Sequence, residues 1–187
     1  EISRQMSDKN YKNFISENFL LGRTWNLGVA VFLIIAAICN VRISNATAQV
    51  VPDKSLGAES SVVTPNVEID ETMSDRIDGG MVRGTNLFHS FQEFSVDEGR
   101  RAYFTNPDGV QNILSRVSGN NSSTIFGKLG VLGNANLFLI NPNGIIFGVN
   151  ARLDLDGSFI ASTANSIKLA DGSEFSTVFS QEKPLLT

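Results

Sequence analysis

Between Leu129 and Leu169 apolar residues return every eight positions, at Leu129, Leu137, Ile145, Leu153, Ala161 and Leu169. A second row follows two residues behind, at Val131, Leu139, Phe147 and Leu155. Residues two apart lie on the same side of a strand. The intervals hold turn formers: Gly133-Asn134, Asn141-Pro142-Asn143-Gly144, Gly148, Asn150, Asp156-Gly157, Asn165 and Asp171-Gly172. The pattern predicts strands of about five residues joined by turns of about three. Ala151-Arg152-Leu153-Asp154-Leu155-Asp156 shows the sidedness, with leucines on one face and charges on the other.

A short strand-turn period fits either an antiparallel meander or a solenoid whose successive coils pair in parallel. Tight hairpins want Asn-Gly or Asp-Gly at nearly every turn. Gly148-Val149-Asn150 and Thr163-Ala164-Asn165 lack that chemistry and suit corners that bend the chain without reversing it. The expectation is an all-β parallel β-helix with three strands per coil, roughly 24 residues. Leu129 would then lie over Leu153, Val131 over Leu155, Leu137 over Ala161 and Ile145 over Leu169, all facing the bore.

Upstream, Val50 to Ala58 reads as an extended lead-in and Asn66 to Asp70 as a strand. Arg76 to Arg83 suggests a short hairpin turning at Asp78-Gly79, suited to cover the open edge of a first coil. Leu87 to Phe94 is the densest aromatic patch and is expected to be a bent strand feeding a core cap. His89 sits within it without a cysteine or second histidine to share a metal, so a structural role is expected and no cofactor is called for. Arg101–Thr105 and Val110–Val117 read as strands around the turn Asn106-Pro107-Asp108-Gly109. A polar loop, Ser118 to Ser123, precedes the regular coils.

The first 48 residues are unlike the rest. Arg4, Lys9, Lys12 and Arg23 precede an apolar run from Leu27 to Cys39, and Ala46-Thr47-Ala48 follows. This is the layout of a secretory signal read by the Sec machinery, with cleavage between Ala48 and Gln49. The run is shorter than the roughly 20 residues a membrane span needs, although an uncleaved anchor is the other reading. Residues 49–187 then form one domain with 10 Lys and Arg against 16 Asp and Glu, a net −6, which argues against nucleic acid as a partner.

The run from Asn134 to Gly148, with Asn141-Pro142-Asn143-Gly144 at its centre, resembles the signature of the filamentous haemagglutinin family. More closely, it is similar to the N-terminal secretion domain of two-partner-secretion exoproteins. His89-Ser90-Phe91, Asn112 to Val117 and Gly157 to Thr163 support the likeness in the right order. The family's earlier N-P-N-L motif has its nearest counterpart in Asn106-Pro107-Asp108-Gly109. The resemblance implies a right-handed β-helix with an antiparallel N-terminal cap. It also implies a Gram-negative exoprotein that crosses the outer membrane through a β-barrel transporter with periplasmic recognition domains. Adhesin or haemagglutinin activity, and any host or surface glycan, would belong to downstream repeats that this chain lacks. The chain on this reading is a truncated product or a fragment.

Two constellations carry candidate chemistry. Asn141, Pro142, Asn143, Gly144 and Ile145 form a corner whose amides, turned outward, could pair with the transporter's backbone. Replacing both asparagines by aspartate would then spare folding and abolish capture. Arg152, Asp154 and Asp156 share one outward face, as a β-helical polysaccharide lyase or polysaccharide-binding protein would require. A solvated face explains the same residues, Lys128 and Lys168 occupy similar places, and no catalytic residue is assigned.

Overall fold

The computed structural model describes residues 50–178, all within the unit formed by residues 46–187. The expected signal segment, with Ala46, Ala48 and Gln49, lies outside the described residues. The strands, in order, are β1 (Val50–Pro52), β2 (Ser61–Ile69), β3 (Thr72–Gly79), β4 (Met81–Arg83) and β5 (Asn86–Phe94). Next come β6 (Arg101–Thr105), β7 (Asn112–Val117), β8 (Ser123–Ile125), β9 (Lys128–Leu132) and β10 (Asn136–Ile140). The last are β11 (Ile145–Phe147), β12 (Arg152–Asp154), β13 (Phe159–Ser162), β14 (Ser166–Lys168) and β15 (Glu174–Ser176).

From β5 onward the chain visits three faces in rotation. One face stacks β5, β7, β10 and β13 in parallel. A second stacks β3, β6, β9 and β12, also in parallel. The third pairs β8 with β11, extended by a parallel bridge between Val96 and Ile125. This is the expected β-solenoid with three strands per coil. Its bore is filled by rows of side chains, such as Leu87 beside Ile113 and Ile113 beside Leu137, all three fully buried. Beneath the first coil, Phe91, Phe94 and Phe104 plug the bore, with ring centroids 5.1 to 6.2 Å apart.

The second face keeps the expected register, with Leu129 opposite Leu153. The first face slips by two residues: Leu137 pairs with Phe159, and Ala161 lies opposite Leu139. Corner length is the cause. Leu129 precedes Leu137 by eight residues, whereas their stacking partners Leu153 and Phe159 are six apart, so the passage from the second face to the first is two residues shorter in the later coil. Ile145 does not meet Leu169. It pairs with Ser123 and packs against the bore, whereas Leu169 belongs to a separate cluster outside it.

That outer cluster arises because the chain leaves the solenoid after β13. β14 and β15 form an antiparallel hairpin that packs on the outer side of the first face. Phe175 of β15 is fully buried there among Phe88, Leu114, Ile140, Leu56 and Met81. At the other end β1 and β4 lie antiparallel against β5, and β2 lies antiparallel against β3, forming the cap. The cap hairpin turns at Asp70 and Glu71 (φ 47° and 58°), not at Asp78-Gly79. Gly79 and Gly80, both at positive φ, instead carry the chain from the second face to the first. Gly80 also passes so close to Phe88 that an added Cβ would lie 2.8 Å from its carbonyl oxygen.

The terminal coil leaves its side of the bore partly uncovered. Leu153 is 47% exposed although its partner Leu129 is fully buried. Among the described residues no strand lies beyond β12 on this face. Leu129→Ala should therefore cost about 2–5 kcal/mol and Leu153→Ala well under half of that. Chemical denaturation of the two variants measures the difference, and equal losses would contradict the packing.

Candidate functional site

At the Asn141–Gly144 corner, the amides point inward. Asn141 is fully buried, and its Nδ2 donates to the carbonyl oxygen of Asn121 and to Ser123 Oγ, both at 3.0 Å. Its Oδ1 accepts from the Asn143 backbone N–H at 2.9 Å, the local bond that makes asparagine a good turn former. Asn143 donates from Nδ2 to the Gly119 carbonyl at 2.8 Å. Gly144 adopts φ 109°, as the corner reading requires. The expected outward amides are thus corrected: both hold this corner to the loop of the coil below. What faces solvent is the flank beside the corner, with Ile146 51% and Val149 95% exposed.

Asparagines act the same way elsewhere. Asn112 donates to Asn86 and Asn136 to Asn112, each at 3.0 Å, forming a ladder across three coils. Asn106 of the Asn-Pro-Asp-Gly turn accepts from the Ala135 N–H at 2.9 Å and donates to the Val110 carbonyl at 3.0 Å. This turn follows a strand of the second face, whereas Asn141 follows one of the first, so the two Asn-Pro motifs occupy different corners.

His89 lies in the bore, its Nδ1 2.9 Å from Ser61 Oγ and its ring 5.1 Å from Phe104. Burial pushes its pKa down to about 3. The folded state therefore holds His89 neutral, while the unfolded chain takes up a proton below its ordinary value of 6.5. The stability it contributes is complete above pH 6.5 and is lost as pH falls toward 3, by up to about 1.4 kcal/mol per pH unit. His89→Gln should flatten urea midpoints measured between pH 6.5 and 4.5; an unchanged slope would assign the dependence to other groups.

A polar cluster outside the bore carries no local motif. Arg116, 1% exposed, donates from Nε to Ser90 Oγ at 2.9 Å, from Nη2 to Ser55 Oγ at 3.0 Å, and from Nη1 to the Ser176 carbonyl. Its guanidinium also lies 4.7 Å from the Phe175 ring. Asp53 accepts from Ser90 Oγ at 2.6 Å, Ser118 Oγ at 2.5 Å and the Ser55 hydroxyl. Burial raises the Asp53 pKa, but the hydrogen bonds from Ser118, Ser55 and Ser90 outweigh it and leave the carboxyl below its ordinary value. One signal could have found this cluster: an arginine within the largely apolar run Ile113-Leu114-Ser115-Arg116-Val117.

On the second face, Tyr103 lies across Gly130 and donates to Asp154 Oδ2 at 2.6 Å. A Cβ on Gly130 would come within 2.4 Å of the tyrosine ring. Burial and the Asp154 hydrogen bond push the Tyr103 pKa up to about 12, opposite to what proton abstraction needs. Asp154 is further paired with Lys128 at 3.3 Å. Among the described residues no group of His, Cys, Asp or Glu could hold a metal ion.

The sequence model of a family described as the TPS secretion domain matches residues 48–187. The chain belongs to the TPS secretion domain family. The solenoid just described is the fold that both the eight-residue recurrence and the family resemblance implied. Members are two-partner-secretion exoproteins, exported across the outer membrane to the surface or the medium with a transporter partner. Among curated proteins, the chain is 33% identical over 69 residues to the Heme/hemopexin-binding protein of Haemophilus influenzae (strain ATCC 51907 / DSM 11121 / KW20 / Rd). That alignment covers 37% of this chain and 7% of the relative. No solved structure gives a significant match.

Proposed function

We propose that this domain is the secretion-targeting module of an adhesin- or haemagglutinin-like exoprotein, recognised by the periplasmic domains of an outer-membrane β-barrel transporter. The observation that carries the reading is the family match across residues 48–187. Export to the periplasm would use the Sec machinery through residues 1–48, and the capped solenoid would nucleate folding of coils that follow. The alignment covers 7% of that relative, so its binding activity is not carried over to this chain.

Recognition centres on the Asn141-Pro142-Asn143-Gly144-Ile145 corner in a revised sense. With the amides committed inward, the partner would meet the flank carrying Ile146 and Val149. Ile146→Ser combined with Val149→Ser removes exposed apolar surface and should shift stability by about 0.5 kcal/mol or less. Secretion of the full chain with its cognate transporter should fall at least roughly tenfold, the size of a lost docking contact. Undiminished secretion would remove this flank from the recognition surface.

A further inference from the structure

The last coil ends in bare edges. β11, β12 and β13 each stand at the end of their sheet, and among the described residues no strand pairs beyond them. The end so exposed is apolar. Phe147 is 43% and Leu153 47% exposed, whereas Ile125 and Leu129, their partners one coil below, are fully buried. Edge strands are ordinarily blunted by proline, a bulge or a charge. β11 and β13 carry none of these, reading Ile-Ile-Phe and Phe-Ile-Ala-Ser in unbroken register with the coil below. The opposite end differs, since β1, β2 and β4 terminate it in antiparallel pairings. The β14–β15 hairpin leaves the open end clear, because it packs on the outer side of the first face, against Phe88, Leu114 and Ile140.

We infer that this end docks a second copy of the chain, head to head, about a two-fold axis through the middle of β12. Geometry selects the occupant. A two-fold perpendicular to the solenoid axis lays β12 antiparallel on its own copy and exchanges the other faces, so β11 meets the copy's β13. A coil end is a ramp, with β11 lowest and β13 highest, because the chain advances one strand spacing, about 4.8 Å, in each coil. The two-fold sets high on low, and facing strands keep the same spacing on every side. A single added peptide strand would cover one short edge and leave the others bare. Charge selects the register. With Leu153 on the copy's Leu153, Arg152 falls opposite Asp154, and Asp154 opposite Arg152. Slipping to the next register sets Arg152 on Arg152 in one direction and Asp154 on Asp154 in the other, pairings that destabilise a sheet. Both charges are available. Arg152 is exposed, forms no salt bridge among the described residues and donates to the carbonyl of its neighbour Ala151. Asp154 meets Tyr103 and Lys128 through Oδ2 and keeps Oδ1.

Sedimentation of the full chain should show a concentration-dependent monomer–dimer equilibrium that stops at the dimer, because the capped ends then point outward. Arg152→Asp and Asp154→Arg should each raise the dissociation constant roughly tenfold or more, since each sets like charges opposite one another. Mixed in equal amounts, the two variants should recover dimers, because every facing pair is then opposite in sign. Amide exchange in β11, β12 and β13 of the native chain should slow as concentration rises, while exchange in β2 and β4 should not. Asp154→Arg also gives up the Tyr103 hydrogen bond. If that variant does not fold, Arg152→Lys decides, because it keeps the charge and should dimerise within about threefold of the native chain while Arg152→Asp does not. A native chain that is monomeric at every concentration would overturn the proposal, including the case in which removing residues 179–187 then produces dimers and so assigns the open end to that segment. Equal association of the native chain and both charge variants would overturn it too, by placing the contact elsewhere, as in residues 1–48.

Discussion

Arg116→Ala should lower the free energy of unfolding by about 3–5 kcal/mol, the range seen when one member of a buried charged network is removed. Arg116 serves acceptors on Ser55, Ser90 and Ser176 together, so truncation leaves buried oxygens without donors. It also removes the positive charge that works with Asp53, and burial has already pushed the Arg116 pKa down to about 10. The loss should be uneven. Hydrogen exchange should accelerate most in β14 and β15, whose Phe175 and Ser176 meet the guanidinium, and least in the bore strands β7 and β10. Arg116→Lys should recover only part of the loss, because a single ammonium cannot span the acceptors a planar guanidinium reaches. An Ala variant within about 1 kcal/mol of the native chain would mean the network is incidental.

Asn141→Asp should cost about 3 kcal/mol or more, although it changes only an amide to a carboxylate. The new oxygen would face the Asn121 carbonyl and lose the donor role at Ser123, at a fully buried position. Protonating the aspartate restores one donor, so its deficit should narrow as pH falls below about 5. Asn143→Asp gives up the bond to Gly119 from an exposed residue and should cost about 1 kcal/mol. Denaturation curves of both variants at neutral and acid pH test the pair. A silent Asn141→Asp at neutral pH would return the amide to the solvent side.

The eight-residue recurrence was enough to find the coils, because strand alternation and turn chemistry both repeat locally. It correctly set Leu129 over Leu153. It failed at Leu137 because the stacking partner depends on how many residues each corner consumes, and corner length leaves no trace in apolar spacing. It failed at Leu169 for a different reason. A period of two separates the two sides of a strand but cannot say which side is bore and which is an outer surface covered by a later hairpin. Asn141 was legible as a corner residue and illegible in direction, since an amide satisfies a turn equally well from either side.

The Arg116 cluster also has a topological consequence. Its guanidinium touches Ser55 near the beginning of the described chain and Ser176 near its end. Ser55 and Ser176 therefore meet on one outer face, although the coils between them advance along an axis. A solenoid ordinarily separates its extremities by its full length, each repeat touching only its neighbours. Here the returning hairpin brings Ser176 to the side chain that also holds Ser55, so two segments that the coils alone would keep apart are tied together and loosening either one should loosen the other.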